Sequence, residues 1–248
     1  MEASIAMATY NGESYISAQL DSILCQLDVN DEIVISDDGS IDSTQQIIKE
    51  YMLRDGRIKF FQNSKHGVVN NFENAILNTK KDIILLADQD DVWMPNKLFS
   101  IKKAMSSDPE IILVMHNFIE ATNKEIEEKK GGINSFEVRN RKHGVINNLV
   151  KCGYWGCCMG FRSEVKKLIL PFPKQLSKYD KHDIYISLVC EYYGRCLFIE
   201  EPLLYHRNHG DNVSQTLSVK NRFLVRFNLF CSVVETLIRN HKQDKKSK

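Results

Sequence analysis

The stretch Leu85-Leu86-Ala87-Asp88-Gln89-Asp90-Asp91-Val92-Trp93 constrains this chain more than any other, because an apolar run ends in three carboxylates within four positions. Ile83 to Ala87 reads as a buried strand. Ionised carboxylates at its mouth repel one another unless a cation or a substrate compensates them. Asp88 and Asp90 are two apart, so an extended chain projects both to one side, where they can chelate a single hard divalent ion. Asp91 then faces away, or turns in if the chain bends.

Upstream of this cluster, short apolar runs alternate with amphipathic segments. That is the pattern of strands and crossover helices in an α/β fold, a mainly parallel mixed sheet flanked by helices. Strands are expected at Ser4–Ala8, Glu32–Ser36, Ile58–Gln62, Ile83–Ala87 and Ile111–His116. Helices are expected at Ser14–Cys25, from Asp42 to about Leu53, and at Val68–Asn78, with Pro95 opening another. Asp42 and Gln45 have the spacing of a capping box. The segment Glu120–Arg141, rich in Lys, Glu and Asn with a Gly131-Gly132 break, reads as a mobile excursion. Order resumes with Gly156–Phe161, helices at Ser163–Leu170 and His182–Tyr193, and a strand at Arg195–Ile199.

Of the 248 residues, 43% are hydrophobic and 26% charged, which suits a globular protein with one large domain. A net charge of +1 argues against a nucleic-acid binder that relies on a whole-surface positive field. The charge is uneven, however. Lys220–Lys248 holds eight Lys and Arg against two acids, a net of +6, so residues 1–219 carry −5. Within that tail Phe223, Phe227, Phe230, Val234 and Leu237 recur at steps of four and three, one apolar stripe on a helix. Such a helix either packs on the body or lies on an anionic membrane leaflet. Seven cysteines without regular spacing fit reduced thiols. With no leader-like start and no run long enough to span a bilayer, a cytoplasmic location is expected, peripheral on the inner membrane if the tail binds lipid.

In an open parallel sheet, ligands sit beyond the carboxyl ends of the strands. Three such ends are polar here: Thr9-Tyr10-Asn11-Gly12, Asp37-Asp38-Gly39-Ser40 and the cluster at Asp88. Asp37-Asp38-Gly39-Ser40 alone reads as a turn with helix capping. Paired with a second acidic cluster it suggests a crevice. Neither a glycine-rich dinucleotide turn nor a Walker loop is present, which removes two nucleotide-binding classes. An aspartyl phosphotransfer fold also places acids at strand ends, but it leaves the second half unexplained.

In order along the chain, Ala8-Thr9-Tyr10-Asn11-Gly12, Ser36-Asp37-Asp38-Gly39-Ser40 with Asp42, Asp88-Gln89-Asp90-Asp91, Gly156-Cys157-Cys158-Met159, His182-Asp183 and Tyr205-His206-Arg207-Asn208-His209 together resemble the inverting glycosyltransferases of family 2. Within that family, Asp-Gln-Asp-Asp-Val-Trp with a later His-Asp is most similar to the bacterial rhamnosyltransferase-like branch. The resemblance implies a GT-A fold over 1–218, with a Rossmann-like nucleotide-sugar half (1–117), an acceptor and catalytic half (118–218), and 219–248 as the basic tail. It implies a transferase taking a sugar from a pyrimidine nucleotide donor, dTDP-L-rhamnose or a UDP-hexose, to a saccharide or lipid-linked acceptor. The rival from another class is a catalytically silent nucleotide-sugar-binding module.

By the same resemblance Asp90 is the first choice to ligate Mg²⁺ or Mn²⁺, Asp88 holds ribose or shares the ion, Asp91 is held in reserve, and His209 is a metal ligand or phosphate donor. Thr9 and Asn11 flank the nucleotide, and Asp38 or Asp37 accepts a hydrogen bond from base or ribose. Arg207 clamps the diphosphate. Asp183 is the base that deprotonates the acceptor hydroxyl, unless it merely caps the helix that follows. Trp93, Tyr154, Trp155, Met159 and His182 are the candidate acceptor-side residues, Trp93 doubling as a core anchor.

Overall fold

A computed structural model describes residues 1–138, 144–150, 153–208 and 219–246. The first half runs β1 (Ala3–Thr9), α1 (Ile16–Leu24), β2 (Glu32–Asp37), α2 (Thr44–Arg54), β3 (Ile58–Gln62), α3 (Val68–Asn78), β4 (Ile83–Asp88), the short β5 (Val92–Trp93) and α4 (Lys97–Ser107). The second half holds β6 (Ile111–Ala121), α5 (Asn123–Glu128), β7 (Ile133–Asn134), α6 (Ser135–Val138), α7 (Val145–Val150) and a 3₁₀ turn at Gly156–Cys158. There follow β8 (Met159–Arg162), α8 (Val165–Ile169), a second 3₁₀ turn at Lys174–Lys178, α9 (His182–Tyr193), β9 (Arg195–Arg207) and α10 (Val219–Lys246).

One mixed sheet joins the halves in the order β3-β2-β1-β4-β8-β6-β9-β5, with β7 on β6. β3, β2, β1 and β4 are mutually parallel, and helices cover them. Their apolar runs are continuous because both faces are buried: Ile5, Met7, Ile33, Ile35 and Leu85 have no exposed surface. α1 and α3 are one-sided instead. They bury Ile16, Leu20 and Ile23, and Val69, Phe72, Ala75 and Ile76, at steps of three and four. Each such aliphatic or aromatic side chain contributes roughly 1.5–3 kcal/mol by leaving water.

Strand register sets the site. Thr9 stands opposite Asp37, Asp37 opposite Gln62, and Ala8 opposite Asp88. Three chain exits therefore leave the sheet at one level, on one edge.

Several expectations need correction. The segment after Glu120 is ordered through Val138: β6 continues to Ala121, and Thr122 and Glu125 form a capping box that starts α5. The capping box expected at Asp42 and Gln45 is absent. Ser43 occupies the N-cap of α2, and the Gln45 amide turns to Asp37. β9 runs on past Pro202, beyond the strand expected to end at Ile199, because its pairing with β6 tolerates register shifts. Asn117 stitches that irregularity, donating to the Glu200 and Asn134 oxygens and accepting from the Phe118 and Phe136 N–H groups. In the tail, α10 packs on α9 through Val225, Leu229 and Val233, whereas Phe223, Phe227 and Phe230 point outward. Among the described residues no helix is long and apolar enough to cross a membrane.

Candidate active site

The turn after β2 is built around Asp37. Its fully buried carboxylate accepts hydrogen bonds from the Thr9 hydroxyl (2.9 Å), the Ser40 hydroxyl (2.6 Å), the Gly39 and Ser40 N–H groups and the Gln45 amide (2.7 Å). A carboxylate so engaged is a bracket for the loop. Thr9 is buried in the same bracket, and Asn11 pins the loop from the other side by accepting from the Ile41 N–H. Of the two neighbouring acids, Asp38 is the one at the crevice. It accepts from Asn63 Nδ2 (2.8 Å) and the Gly67 N–H (2.7 Å), with His66 Nδ1 3.3 Å away.

Gln89, between the acids of the second cluster, folds its amide back onto Tyr10. It accepts from the Tyr10 N–H and donates to the Tyr10 C=O, both at 2.9 Å. This clamp leaves no room at Gly12, where a Cβ would lie 2.3 Å from Gln89 Oε1. Buried Gln19 holds the Asp88 carbonyl from below at 2.7 Å. Beyond Asp88 the chain turns, and Asp91 swings inward. It is fully buried, accepting from His206 Nδ1 at 2.9 Å and from the Arg207 N–H at 3.3 Å. The bend, rather than the extended alternative, is what the structure contains.

Electrostatics follow from this crowding. Burial, then the charges of Asp91 and Asp90, push the Asp88 carboxyl well above the usual range; Asp183 adds to the effect and His206 opposes it. Burial alone would lower the His206 imidazole, but the Asp91 carboxylate outweighs it and raises that pKa to about 12. Four carboxylates within electrostatic reach, with Asp91 Oδ2 buried and unpartnered, form an oxygen-rich set short of positive charge. That fits a hard divalent ion. Asp91, Cys157 and His206 also bring ligand atoms within 4.8 Å of one another, but their mixed O, S and N donors suit a softer metal. Asp91 Oδ1 is already engaged by His206, so this trio braces the turn from behind.

Arg207 does not reach past the turn. Its guanidinium is buried, donates to the Asp90 carbonyl at 2.7 Å and to Asn123 Oδ1, and lies 5.0 Å over the Tyr15 ring. The end of β9 thus holds the acid turn through His206 and Arg207 together. His209 lies outside the described residues.

Asp183 opens toward the same place from the first turn of α9. Lys181 occupies the N-cap and makes no side-chain cap bond, so Asp183 is not the cap of this helix. Among the described residues its Oδ1 accepts from the adjacent Ile184 N–H, at 2.8 Å. His182 is not an exposed acceptor contact. Its ring is buried, stacks on Phe72 at 4.2 Å, and has no hydrogen-bond partner on either nitrogen; burial lowers its pKa, so it is neutral.

The acceptor-side aromatics also need correction. Trp93 is 3% exposed, and the Lys97 ammonium sits 4.1 Å over its ring while donating to the Cys157 carbonyl. No face remains for a sugar. Met159 and Tyr154 are buried too, Tyr154 with its hydroxyl on Glu191. Trp155, half-buried and edge-on to Phe118, is the one of these that reaches the surface. Gln45, Gln89, Asn63, Lys97 and His206 shape the site although none was expected as a site residue, since a single polar side chain carries no periodic signal. His206 stands in the sequence within the run Tyr205-His206-Arg207-Asn208-His209, and alternation along β9 puts it on the opposite face from Tyr205 and Arg207.

Comparison with known proteins gives a consistent picture. The family model for glycosyl transferase family 2 matches residues 4–169. An uncharacterized glycosyltransferase of Nostoc sp. is 26% identical over 222 residues, covering 86% of this chain and 66% of that protein. The dTDP-rhamnosyl transferase RfbG of Shigella flexneri is 41% identical over 98 residues, 37% of this chain and 34% of its own. Among solved structures, Staphylococcus aureus TarS 1–349 in complex with UDP-GlcNAc superposes with a TM-score of 0.70 at 19% identity, over 91% of this chain and 64% of that one. The mannosyltransferase PcManGT of Pyrobaculum calidifontis, in complex with GDP-Man and Mn²⁺, gives 0.65 at 15% identity, over 96% and 64%. The chain spans just under two thirds of the length of the curated relatives that match most of it. The sheet is that of the GT-A glycosyltransferases, and the family match covers more than half of the sequence: this chain belongs to glycosyl transferase family 2.

Proposed function

We propose that this chain is an inverting, metal-dependent transferase that moves a hexose or deoxyhexose from a pyrimidine nucleotide donor to a saccharide or lipid-linked saccharide acceptor. The observation that supports this reading is that Asp183, from α9, lies close enough to the Asp88–Asp91 turn for its charge to act on Asp88. Asp38, braced by Asn63 and the Gly67 N–H, is suited to the base or ribose at the β2 end. The match to a dTDP-rhamnosyl transferase, and TarS with UDP-GlcNAc, support a pyrimidine donor, with dTDP-L-rhamnose and UDP-hexoses as the donors to try first.

Asp88 and Asp90 would hold Mg²⁺ or Mn²⁺, which supplies Lewis-acid neutralisation of the departing diphosphate. The chain's own residues do the rest. Asp91, tied to His206, and the Asp90 carbonyl, tied to Arg207, fix the turn so that its remaining oxygens stay aimed at the crevice. Asp183 Oδ1 is engaged by Ile184, which leaves Oδ2 to take the acceptor hydroxyl proton. The acceptor oxygen then bonds to the anomeric carbon as the bond to the diphosphate oxygen breaks, the nucleoside diphosphate leaving with the electron pair. Attack from the opposite side inverts the anomeric centre. One carboxylate base suffices, unlike the pair used in glycoside hydrolysis.

Asp183→Asn tests the assignment. Transfer should fall at least about a hundredfold while donor affinity stays within a factor of about two, since general-base removal is worth roughly 10²–10⁴. A variant that still transfers at the native rate removes Asp183 from the chemistry.

A further inference from the structure

α10 exposes a ridge that no other described residue covers. Phe223 is 77% exposed, Phe227 56%, and Phe230 and Ile238 each 52%, although all four belong to a helix whose other side is well packed. The packed side is fixed at several points. Val225, Leu229 and Val233 are buried, Thr236 shares a hydrogen bond with the Tyr185 hydroxyl at 2.8 Å, and Arg239 donates to the Pro171 and Leu168 carbonyls. The ridge is therefore a set face, about 22 Å long from Phe223 to Ile238 at 1.5 Å per residue. Side chains at steps of three, four and seven beyond Ile238 continue it, and these are His241, Lys242 and Lys245, all exposed.

The orientation of α10 links this face to the site. Asn228 lies beside the Tyr179 hydroxyl, Thr236 beside Tyr185, and Asn240 beside the Tyr193 hydroxyl. α10 thus runs alongside α9 in the same direction, and it passes the Asp183 end of α9 near Thr236, which meets Tyr185 two residues beyond Asp183. α7, which packs on α10 beside Arg226, adds exposed Ile146 and Val150.

We propose that this face of α10 lies flat on an anionic lipid surface, with its phenylalanines among the acyl chains and its lysines at the headgroups. Three observations select that occupant. Large exposed aromatics followed by lysines on one helical arc are what an interfacial helix requires. The segment Lys220–Lys248 carries a net of +6, complementary to anionic headgroups, whereas a second copy would bring an equal positive charge against it. The helix is also not apolar enough to cross the bilayer, which is consistent with a surface position.

Flotation of the full chain with vesicles of phosphatidylcholine, with and without phosphatidylglycerol, tests this independently of any transferase activity. Binding should be at least about tenfold stronger to the anionic vesicles. It should fall at least about tenfold in the triple variant Phe223→Ser, Phe227→Ser, Phe230→Ser and in Lys242→Glu with Lys245→Glu. Because all five residues are exposed, the melting temperature reports that the variants fold. The proposal is overturned if a folded triple variant floats like the native chain. It is equally overturned if charge on the vesicles makes no difference, or if sedimentation shows a dimer that the triple variant splits, which would give the face to a second copy.

Discussion

Asp37 and Asp38 are adjacent in sequence and opposite in role. Asp37 points into the protein and gathers donors from Thr9, Gly39, Ser40 and Gln45, while Asp38 reaches the crevice edge with Asn63. Alternation along a strand predicts that two neighbours part company, but not which one turns in. Asp88 shows the cost of crowding carboxylates together. Its carboxyl is raised above the usual 3.8 by burial and by like charges, so folding takes up a proton there. Stability is therefore lost as pH rises above about 3.8, the unfolded value, toward the higher folded one. Asp88→Asn should raise the melting temperature of the metal-free protein by a few degrees at pH 8 and leave it unchanged at pH 4, measured by calorimetry. It should also abolish stabilisation by Mn²⁺. A drop at pH 8 would mean the carboxylates are not in conflict. Trp93 illustrates the reverse case, a residue that reads as a sugar platform and is core. Trp93→Ala should cost about 3–5 kcal/mol in urea unfolding, whereas the surface-reaching Trp155→Ala should cost far less. Equal losses would contradict the burial assigned to the two.

At the scale of elements, the strands and helices that carry the site were legible because their apolar periodicity is local. β1 to β4, α3 and α9 lie where pattern places them. What escaped depends on contacts distant in sequence. The strand expected at Arg195–Ile199 runs on to Arg207, because Asn117 on β6 holds the ladder together at Glu200. Its far end then delivers His206 to Asp91, 115 residues away. The sequence holds no local cue for that pairing. The stripe on α10 was visible, but not its direction, since Val225, Leu229 and Val233 form an alternative face at the same spacing. The His206–Asp91 pair gives the element a measurable signature. With its pKa at about 12 against 6.5 unfolded, His206 contributes fully below about pH 6.5. That contribution fades as pH rises toward 12. The stability margin of the native chain over the uncharged double variant Asp91→Asn with His206→Asn should therefore shrink between pH 7 and 9, by up to about 1.4 kcal/mol per pH unit. A margin that is flat with pH would show that the pair is not charged in the folded state.

At the scale of the whole molecule, charge organises function. The body is acidic and the tail basic, and Asp37, Asp38, Asp88, Asp90 and Asp91 gather where three parallel strands end at one level. The fold itself was readable as alternating strands and helices; the closeness of Asp183 to a turn 92 residues earlier was readable only through family resemblance, because it arises from sheet order and not from spacing. The central claim is that the Asp88–Asp91 turn holds a cation that grips the departing diphosphate. Electron paramagnetic resonance titration of Mn²⁺, with and without UDP, tests it on the native chain and on Asp90→Asn. The account predicts that UDP tightens Mn²⁺ binding and that Asp90→Asn weakens the ternary complex at least about tenfold. Mn²⁺ affinity that is indifferent both to UDP and to the loss of the Asp90 charge would contradict it.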